Sequence, residues 1–288
     1  MRLCGIIAVL VLALTPSPLA GGGGGEARVF ALGVNGAIVV PVTVDGHGPF
    51  RFLLDTGASR SAVSARLVRR LRSSVVAQTP MVTATGQAMR PVTRLARVAL
   101  APASSVAVMA VILAEETFVR GPAVDGLIGQ DVLAPLAYTI DYGRKQIVWH
   151  SPGEPTAPGT RLPLEWHEGR FVVSLARKSA SSRPLQLVPD SGATGFVLFA
   201  RPGRELPPVT RLGAVVLTTL LGQRAARSAL IDHLEVGDVR LLNQRAVIVD
   251  GAASPGTEDG LLPLHLFSRV TVNGPKRYLI VAAARKRG

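Results

Sequence analysis

The chain has 288 residues, of which 48% are hydrophobic and 18% are charged. This composition excludes wholesale disorder and leaves room for one large domain or for two lobes. The formal net charge is +13, but the arginines are scattered and aromatic residues make up only 5%. Specific nucleic-acid binding is therefore not expected, whereas electrostatic association with an anionic envelope surface stays open.

The N-terminus has the pattern of a secretory signal. Arg2 precedes the apolar run "LCGIIAVLVLALT", and small residues follow it. We assign residues 1–22 to a signal peptide and residues 23–27 to a Gly-rich lead-in, which predicts a periplasmic or secreted protein. A retained N-terminal anchor is the alternative. The only cysteine, Cys4, lies in this segment, so the mature chain is expected to contain no disulfide and no thiolate metal site.

Short strands dominate the first half of the remaining chain. The stretch "AIVVPVTVDGHGPFRFLLD" predicts a hairpin that turns at Asp45-Gly46. A short helix is expected over 61–71 and another in "IGQDVLAPL", before Pro135. Gly86-Gln87 has the pattern of a hairpin tip. Thirty glycines and 21 prolines also favour a turn-rich β protein.

The second half repeats the first. "PFRFLLDTGAS" returns as "PLQLVPDSGAT", with Asp55 and Asp190 in matching positions. Asp-Gly-Leu recurs about 70 residues after each of these acids, and Gly-Gln recurs at Gly222-Gln223. The sequence therefore predicts lobes over 28–150 and 163–288, joined by a Pro- and Gly-rich linker over 151–162.

The repeated acids raise a chemical question, because Asp is rarely buried without a partner. A pseudo-two-fold axis between the lobes is expected to bring Asp55 and Asp190 close together. Two such carboxylates share a proton and titrate as a pair, so one can act as a base while the other acts as an acid. Asp125 and Asp259, which start the Asp-Gly-Leu blocks, are predicted to be structural.

The doubled Asp-Thr/Ser-Gly-Ala-Ser/Thr motif, with Asp-Gly-Leu-Ile-Gly downstream, resembles the aspartic proteases, and more narrowly their retropepsin-like members in a single duplicated chain. The resemblance covers nearly all of the mature chain. It implies an all-β, bilobal acid-protease fold, with two pseudo-two-fold-related, β-barrel-like lobes and short helices. It also implies an aspartic endopeptidase that needs neither metal nor cofactor and for which a monomer is sufficient, with a peptide or protein as substrate.

The resemblance implies roles for three groups of residues. Asp55 and Asp190 would be the catalytic pair. The hydroxyls of Thr56 and Ser191 would cross-link the two loops. Gly57 and Gly192 would let the loops approach each other closely. The hydroxyls of Ser59 and Thr194 would bond the outer carboxylate oxygens. Two flaps would cover the substrate, with Thr85, Gly86, Gln87, Gly222 and Gln223 at their tips.

The second half departs from the pattern at two prolines. Pro189 stands where the first half has Leu54, and Pro263 stands where it has Gly129. Proline lacks a backbone N–H and suits only some strand positions. These departures keep an alternative open, namely a protease-like protein that binds peptides with weak or no hydrolysis.

Overall fold

The computed structural model describes residues 27–32, 37–100, 103–118, 124–151, 157–176, 183–251 and 256–283. The predicted signal peptide, nearly all of the lead-in, and residues 152–156 of the predicted linker lie outside these ranges. Within them, no helix is both long and apolar enough to cross a membrane.

The N-terminal lobe contains an eight-stranded sheet, two short helices and three further strands that lie outside this sheet. Along the chain its strands and helices are β1 (Ala27–Val29), β2 (Ala31–Leu32), β3 (Ile38–Val44), β4 (His47–Leu54), β5 (Ala62–Ser64), α1 (Ala65–Leu71), β6 (Val75–Thr83), β7 (Gly86–Leu100), β8 (Ala103–Leu113), β9 (Gly126–Ile128), α2 (Gln130–Leu133), β10 (Ala137–Asp141) and β11 (Gln146–His150). The sheet has the order β2-β3-β4-β9-β5-β8-β7-β6, and β1, β10 and β11 lie outside it.

The C-terminal lobe has a second eight-stranded sheet. The strands of this lobe are β12 (Thr160–Pro163), β13 (Glu165–His167), β14 (Arg170–Leu175), β15 (Leu185–Asp190), β16 (Phe196–Ala200), β17 (Val209–Thr219), β18 (Gly222–Val236), β19 (Val239–Asp250), β20 (Gly260–Pro263), β21 (Arg269–Asn273) and β22 (Tyr278–Ala282), of which β12, β21 and β22 lie outside this sheet. The sheet has the order β13-β14-β15-β20-β16-β19-β18-β17. Each strand has its counterpart at the same place in the first sheet, so the sequence repeat corresponds to a repeated topology.

The two lobes share a third, six-stranded sheet. Its order is β1-β11-β10-β21-β22-β12. β10 and β21 meet antiparallel with Thr139 opposite Thr271, and the two hydroxyl oxygens are 2.7 Å apart. The pseudo-two-fold axis therefore passes near this threonine pair, and main-chain bonds join the lobes. The predicted all-β, bilobal architecture is confirmed.

Period-two burial explains the strand that leads to Asp55. In β4, Phe50, Phe52 and Leu54 are buried, while the residues between them are less so. Alternate side chains of a strand point to one face, so these three enter the core of the lobe. The hairpin before β4 turns at Asp45-Gly46, as predicted, and both residues have positive φ.

The two short helices predicted for the N-terminal lobe differ in how well they match the structure. The helix expected over 61–71 is wrong at its start, because 62–64 form β5, which lies between β8 and β9 in the sheet. Ser64 then caps α1 by accepting a hydrogen bond from the Leu67 N–H at 3.1 Å. The second predicted helix is present as α2 and ends before Pro135.

Asp125 and Asp259 occupy equivalent structural positions. The carboxylate of Asp125 accepts the Arg51 N–H at 3.1 Å, and that of Asp259 accepts the Gln186 N–H at 2.9 Å. Both acids hold the strand that leads to a candidate catalytic loop, β4 or β15. Their place in the fold agrees with the structural role predicted for them.

Candidate active site

The two Asp-containing loops face each other across the interface between the lobes. Asp55 follows β4 directly, and Asp190 is the last residue of β15. A Cβ on Gly57 would lie 2.5 Å from the Asp190 Cγ, and a Cβ on Gly192 would lie 3.1 Å from the Asp55 Cγ. A side chain at 57 would force a loop to move, and one at 192 would be tight, so the two glycines allow each loop to approach the carboxylate of the other closely.

Four hydrogen bonds join the loops. The Thr56 N–H donates to the Ser191 hydroxyl at 3.1 Å, and the Ser191 N–H donates to the Thr56 hydroxyl at 2.9 Å. The Thr56 hydroxyl donates to the Pro189 carbonyl at 2.8 Å, and the Ser191 hydroxyl donates to the Leu54 carbonyl at 2.7 Å. Because each hydroxyl is used as both donor and acceptor, the buried polar groups at this junction satisfy each other.

Backbone amides hold the two carboxylates. Asp55 Oδ1 accepts the N–H groups of Gly57 and Ala58, both at 3.0 Å. Asp190 Oδ1 accepts those of Gly192 at 2.7 Å and Ala193 at 3.0 Å. One oxygen of each acid is therefore fixed by its own loop, which leaves the other oxygen outside this backbone bonding.

The roles expected for Ser59 and Thr194 are not found. Both side chains are exposed, and neither hydroxyl bonds a carboxylate in the described part of the chain. Ser59 instead faces the turn at Gly169, where an added Cβ would lie 3.1 Å from the Ser59 Cβ. The loop amides replace the hydroxyls as donors to the acids.

The electrostatics of the two acids are linked. Burial, followed by the charge of Asp55, raises the pKa of Asp190 to about 8, against the opposing effect of the loop amides and Arg170. Burial also raises the pKa of Asp55, while hydrogen bonds from Gly57 and Ala58, the Arg170 charge and a hydrogen bond with the Asp190 side chain act to lower it. Two carboxylates that interact in this way titrate as a pair rather than as independent groups.

A buried ion pair supplies the nearby cation. Arg170 donates to Glu258 Oε1 at 2.7 Å, and the exposed fractions of the two side chains are 13% and 0%. The other oxygen, Glu258 Oε2, has no hydrogen-bond partner among the described residues. The charge of Arg170 acts to lower the pKa of both Asp55 and Asp190. Sequence reasoning missed this pair, since neither residue belongs to the repeated motif.

The N-terminal loop has a brace of its own. The Ser61 hydroxyl donates to Asp131 at 2.7 Å and accepts the Gly129 N–H at 3.1 Å. The Gln130 side chain donates to the Thr56 carbonyl at 2.7 Å. Burial raises the pKa of Asp131, although the bonds from Ser61 oppose this.

The C-terminal lobe uses different residues at these positions. Pro263 is equivalent to Gly129 and has no backbone N–H that needs an acceptor. The position equivalent to Ser61 is accordingly occupied by Phe196, which has no hydroxyl. His265 stands for Asp131 and forms a hydrogen bond with the Ala193 backbone; burial nevertheless lowers the pKa of His265. The two prolines therefore coexist with an intact loop around Asp190.

Two long hairpins, β6–β7 and β17–β18, form the flaps. Their tips touch: the Thr219 hydroxyl oxygen lies 2.6 Å from that of Thr85 and 3.0 Å from that of Thr83. Of the predicted tip residues, Thr85 lies in its turn, and the other four lie one or two residues beyond the turns. The turns are at 84–85 and 220–221, whereas Gly86, Gln87, Gly222 and Gln223 already belong to β7 and β18.

A cavity of about 480 Å³ lies between Asp55 and the flaps, and Asp190 is not among its lining residues. Of the predicted residues it includes Asp55, Gly192 and Gly222, while Thr85, Gly86, Gln87 and Gln223 do not line it. Most of the residues that line the cavity were not predicted from the sequence, because the alternating pattern of a strand does not show which residues face a cavity. The lining residues are Ala37, Leu53, Leu54, Asp55, Arg90, Thr117, Leu127, Gly192, Thr218, Thr219, Leu220, Leu221 and Gly222. The described residues contain no cluster of three or more His, Asp or Glu suited to a metal ion.

One family model matches part of the chain. Residues 40–132 match the family model described as aspartyl protease. One similar solved structure is a retropepsin-like aspartic protease from Rickettsia conorii, at 17% identity and a TM-score of 0.34, covering 43% of this chain and 89% of that one. No curated protein sequence gives a match.

Proposed function

Because residues 40–132 carry the sequence pattern of the aspartyl protease family, we propose that this protein is an aspartic endopeptidase whose catalytic pair is Asp55 and Asp190. The observation that carries the proposal is the mutual approach of the two loops, in which each glycine lies against the carboxylate of the opposite acid. A second observation supports it: the closed flaps leave a cavity directly over Asp55 and Gly192.

The reaction follows from one shared proton. A water molecule between the acids gives a proton to the ionised carboxylate and attacks the peptide carbonyl carbon, while the protonated acid donates to the carbonyl oxygen. The tetrahedral diol that forms then collapses. One diol hydroxyl returns its proton to the ionised acid as the carboxyl group forms, the C–N bond breaks, and the nitrogen takes a proton from the other acid, so the pair is again singly protonated.

The flaps account for substrate binding and water exclusion. Their inner edges are strand-like, so an extended peptide can be bound by main-chain hydrogen bonds, as in strand addition. The interlocked threonines at the tips must separate before a peptide enters. Reclosure would then shield the reacting atoms from bulk water.

The location and partners remain part of the proposal. The N-terminal pattern supports export to the periplasm or secretion, with a peptide or protein as substrate. The net charge of +13 supports electrostatic association with an anionic envelope surface.

The test is cleavage of a randomised peptide library by the purified protein and two variants. Asp55→Asn and Asp190→Asn are each expected to abolish cleavage while the circular dichroism spectrum is retained. Asp232→Asn serves as the control, since Asp232 is exposed on β18 and bonds Thr210 away from the loops. Activity that survives in either dyad variant would refute the catalytic pair.

The second candidate function is peptide binding with weak or no hydrolysis. It is favoured by Pro189 and Pro263, and by the absence in the C-terminal lobe of the Ser61–Asp131 brace. Saturable peptide binding without turnover between pH 3 and 8 would select this function over the protease.

A further inference from the structure

The cavity beside Asp55 contains a cation that no acidic group of the described chain neutralises. Arg90 lies on β7 and lines the cavity. It forms no ion pair among the described residues, and its one side-chain hydrogen bond is a 3.4 Å contact with the carbonyl of its neighbour Met89. Asp55 is the only carboxylate among the lining residues.

The duplication shows that this cation is particular to one half of the cleft. Arg90 pairs across its flap with Thr79, and Ala226 occupies the same place in the other flap, opposite Val215. Ala226 is buried and packs with Val197 and Phe199. The flap of the C-terminal lobe therefore presents a methyl group where the flap of the N-terminal lobe presents a guanidinium.

Arg170, a second cation near the acids, is already paired with a carboxylate. The strand pairings Val40–Phe52 and Val173–Leu187 are equivalent, which makes Ala37 of the cavity wall the counterpart of Arg170. Arg170 is bound to Glu258 and nearly buried. The charge of Arg170 also acts to lower the pKa of both acids. Arg90 has no such ion pair in the described chain and is therefore available to a ligand.

The walls near Arg90 define the ligand further. Leu53, Leu127 and Leu220 line the same cavity, and Leu220 of the flap tip packs on the apolar cluster of the N-terminal lobe. A side chain that suits this pocket has a short apolar stem and ends in a carboxylate, which a guanidinium binds in bidentate fashion.

We propose that Arg90 is a specificity residue that binds a substrate carboxylate, so that the cleft selects peptides with a glutamate side chain on the N-terminal-lobe side of the scissile bond. The position of the glutamate relative to a cleaved bond rests on the proposed function, but the preference for binding glutamate is testable without hydrolysis. Aspartate, with a shorter stem, is expected to be selected less strongly.

The experiment uses one randomised dodecapeptide library with blocked termini, at pH 6, where glutamate is ionised. The Asp190→Asn protein captures peptides by equilibrium dialysis, and mass spectrometry identifies them. Glutamate is expected to be enriched about tenfold over glutamine at one position, which is typical of a charge-assisted hydrogen bond. The enrichment is expected to vanish with Arg90→Gln and to change to lysine or arginine with Arg90→Glu, each combined with Asp190→Asn.

Arg94→Gln is the matched control, because Arg94 lies four residues further along β7, is exposed and does not line the cavity. It is expected to keep the glutamate preference. An unchanged preference in the Arg90→Gln protein, or no acidic preference at all, would overturn the proposal. A second library with free C-termini distinguishes the two sources of carboxylate: capture that occurs only there would assign Arg90 to a terminal carboxylate and overturn the side-chain assignment.

Cleavage of the same library by the unmodified protein separates this proposal from the proposed function. Captured peptides rich in glutamate, with no cleavage, would support the role of Arg90 while refuting the endopeptidase. Cleavage without glutamate selection would leave the endopeptidase standing and refute the role of Arg90.

Discussion

Thr56 and Ser191 each donate a backbone N–H to the side-chain hydroxyl of the other, at 3.1 and 2.9 Å. The two residues are 135 positions apart and both are buried. They therefore connect the lobes at the base of the candidate active site, where water is not available to replace a lost partner.

We expect Ser191→Ala and Thr56→Val each to lower the free energy of unfolding by about 1–3 kcal/mol, because each leaves a buried N–H without an acceptor. Urea denaturation measures this. Ser59→Ala and Thr194→Ala, in the same loops but exposed, are expected to change it by less than about 0.5 kcal/mol. Equal effects in all four variants would contradict the buried junction.

Gly57 and Gly192 are predicted to differ in their tolerance of a methyl group. The Cβ of Gly57→Ala would meet the Asp190 carboxylate at 2.5 Å, so a loop must move, whereas that of Gly192→Ala meets the Asp55 Cγ at 3.1 Å and needs only a small adjustment. We expect Gly57→Ala to lower kcat/KM on a peptide substrate by about a hundredfold or more, and Gly192→Ala by less.

Gly195→Ala is the control for this pair, since its Cβ would make an ordinary 3.7 Å contact. It is expected to retain activity. A Gly57→Ala protein as active as the Gly195→Ala protein would show that the loops are not packed as closely as the structure places them.

The raised pKa of Asp190 predicts how stability depends on pH. The unfolded pKa of Asp is about 3.9, and the folded value is about 8, chiefly because of burial. The folded state holds this proton more tightly, so the contribution to stability is fully present below about pH 4 and is lost as pH rises towards 8. Asp190→Asn removes this titration.

Thermal unfolding at pH 4, 6 and 8 is the measurement. The Tm of the Asp190→Asn protein, relative to that of the unmodified protein, is expected to rise from pH 4 to pH 8. Asp232→Asn is expected to give a difference that does not depend on pH. A Tm difference for Asp190→Asn that stays flat or falls would mean that Asp190 ionises as freely when folded as when unfolded.

The Arg170–Glu258 pair predicts that the effects of substituting its two members on the free energy of unfolding are strongly non-additive. Arg170→Met leaves a fully buried carboxylate without its cation, which is expected to lower the free energy of unfolding by about 3–5 kcal/mol. The double variant Arg170→Met/Glu258→Leu removes both charges and is expected to recover most of this loss, because an apolar pair avoids the desolvation penalty.

An exposed pair provides the comparison. Arg240 and Glu235, whose side chains are 68% and 49% exposed, lie 3.5 Å apart. Arg240→Met is expected to change the free energy of unfolding by no more than about 1 kcal/mol. Additive effects at Arg170 and Glu258 in a double-mutant cycle would contradict direct coupling between them.

The sequence by itself determined the features that are written within each half. The matching "DTGAS" and "DSGAT" segments predicted that Asp55 and Asp190 end equivalent strands, and the alternating apolar residues predicted those strands. The Asp45-Gly46 turn and α2 were also predictable, because turn residues and helix stop signals act over a few neighbouring positions. The family resemblance was recognisable for the same reason.

Only the tertiary structure decided what crosses between distant segments. β5 is a strand although its sequence leads into a helix, because β8 and β9 lie on either side of it. Glu258 is tolerated in a buried position because Arg170 reaches it from a strand 88 residues away, and Arg90 reaches the cavity because its flap folds over the cleft. Such contacts depend on how the two lobes pack, and no local periodicity encodes the partner of a side chain that is so far away in the chain.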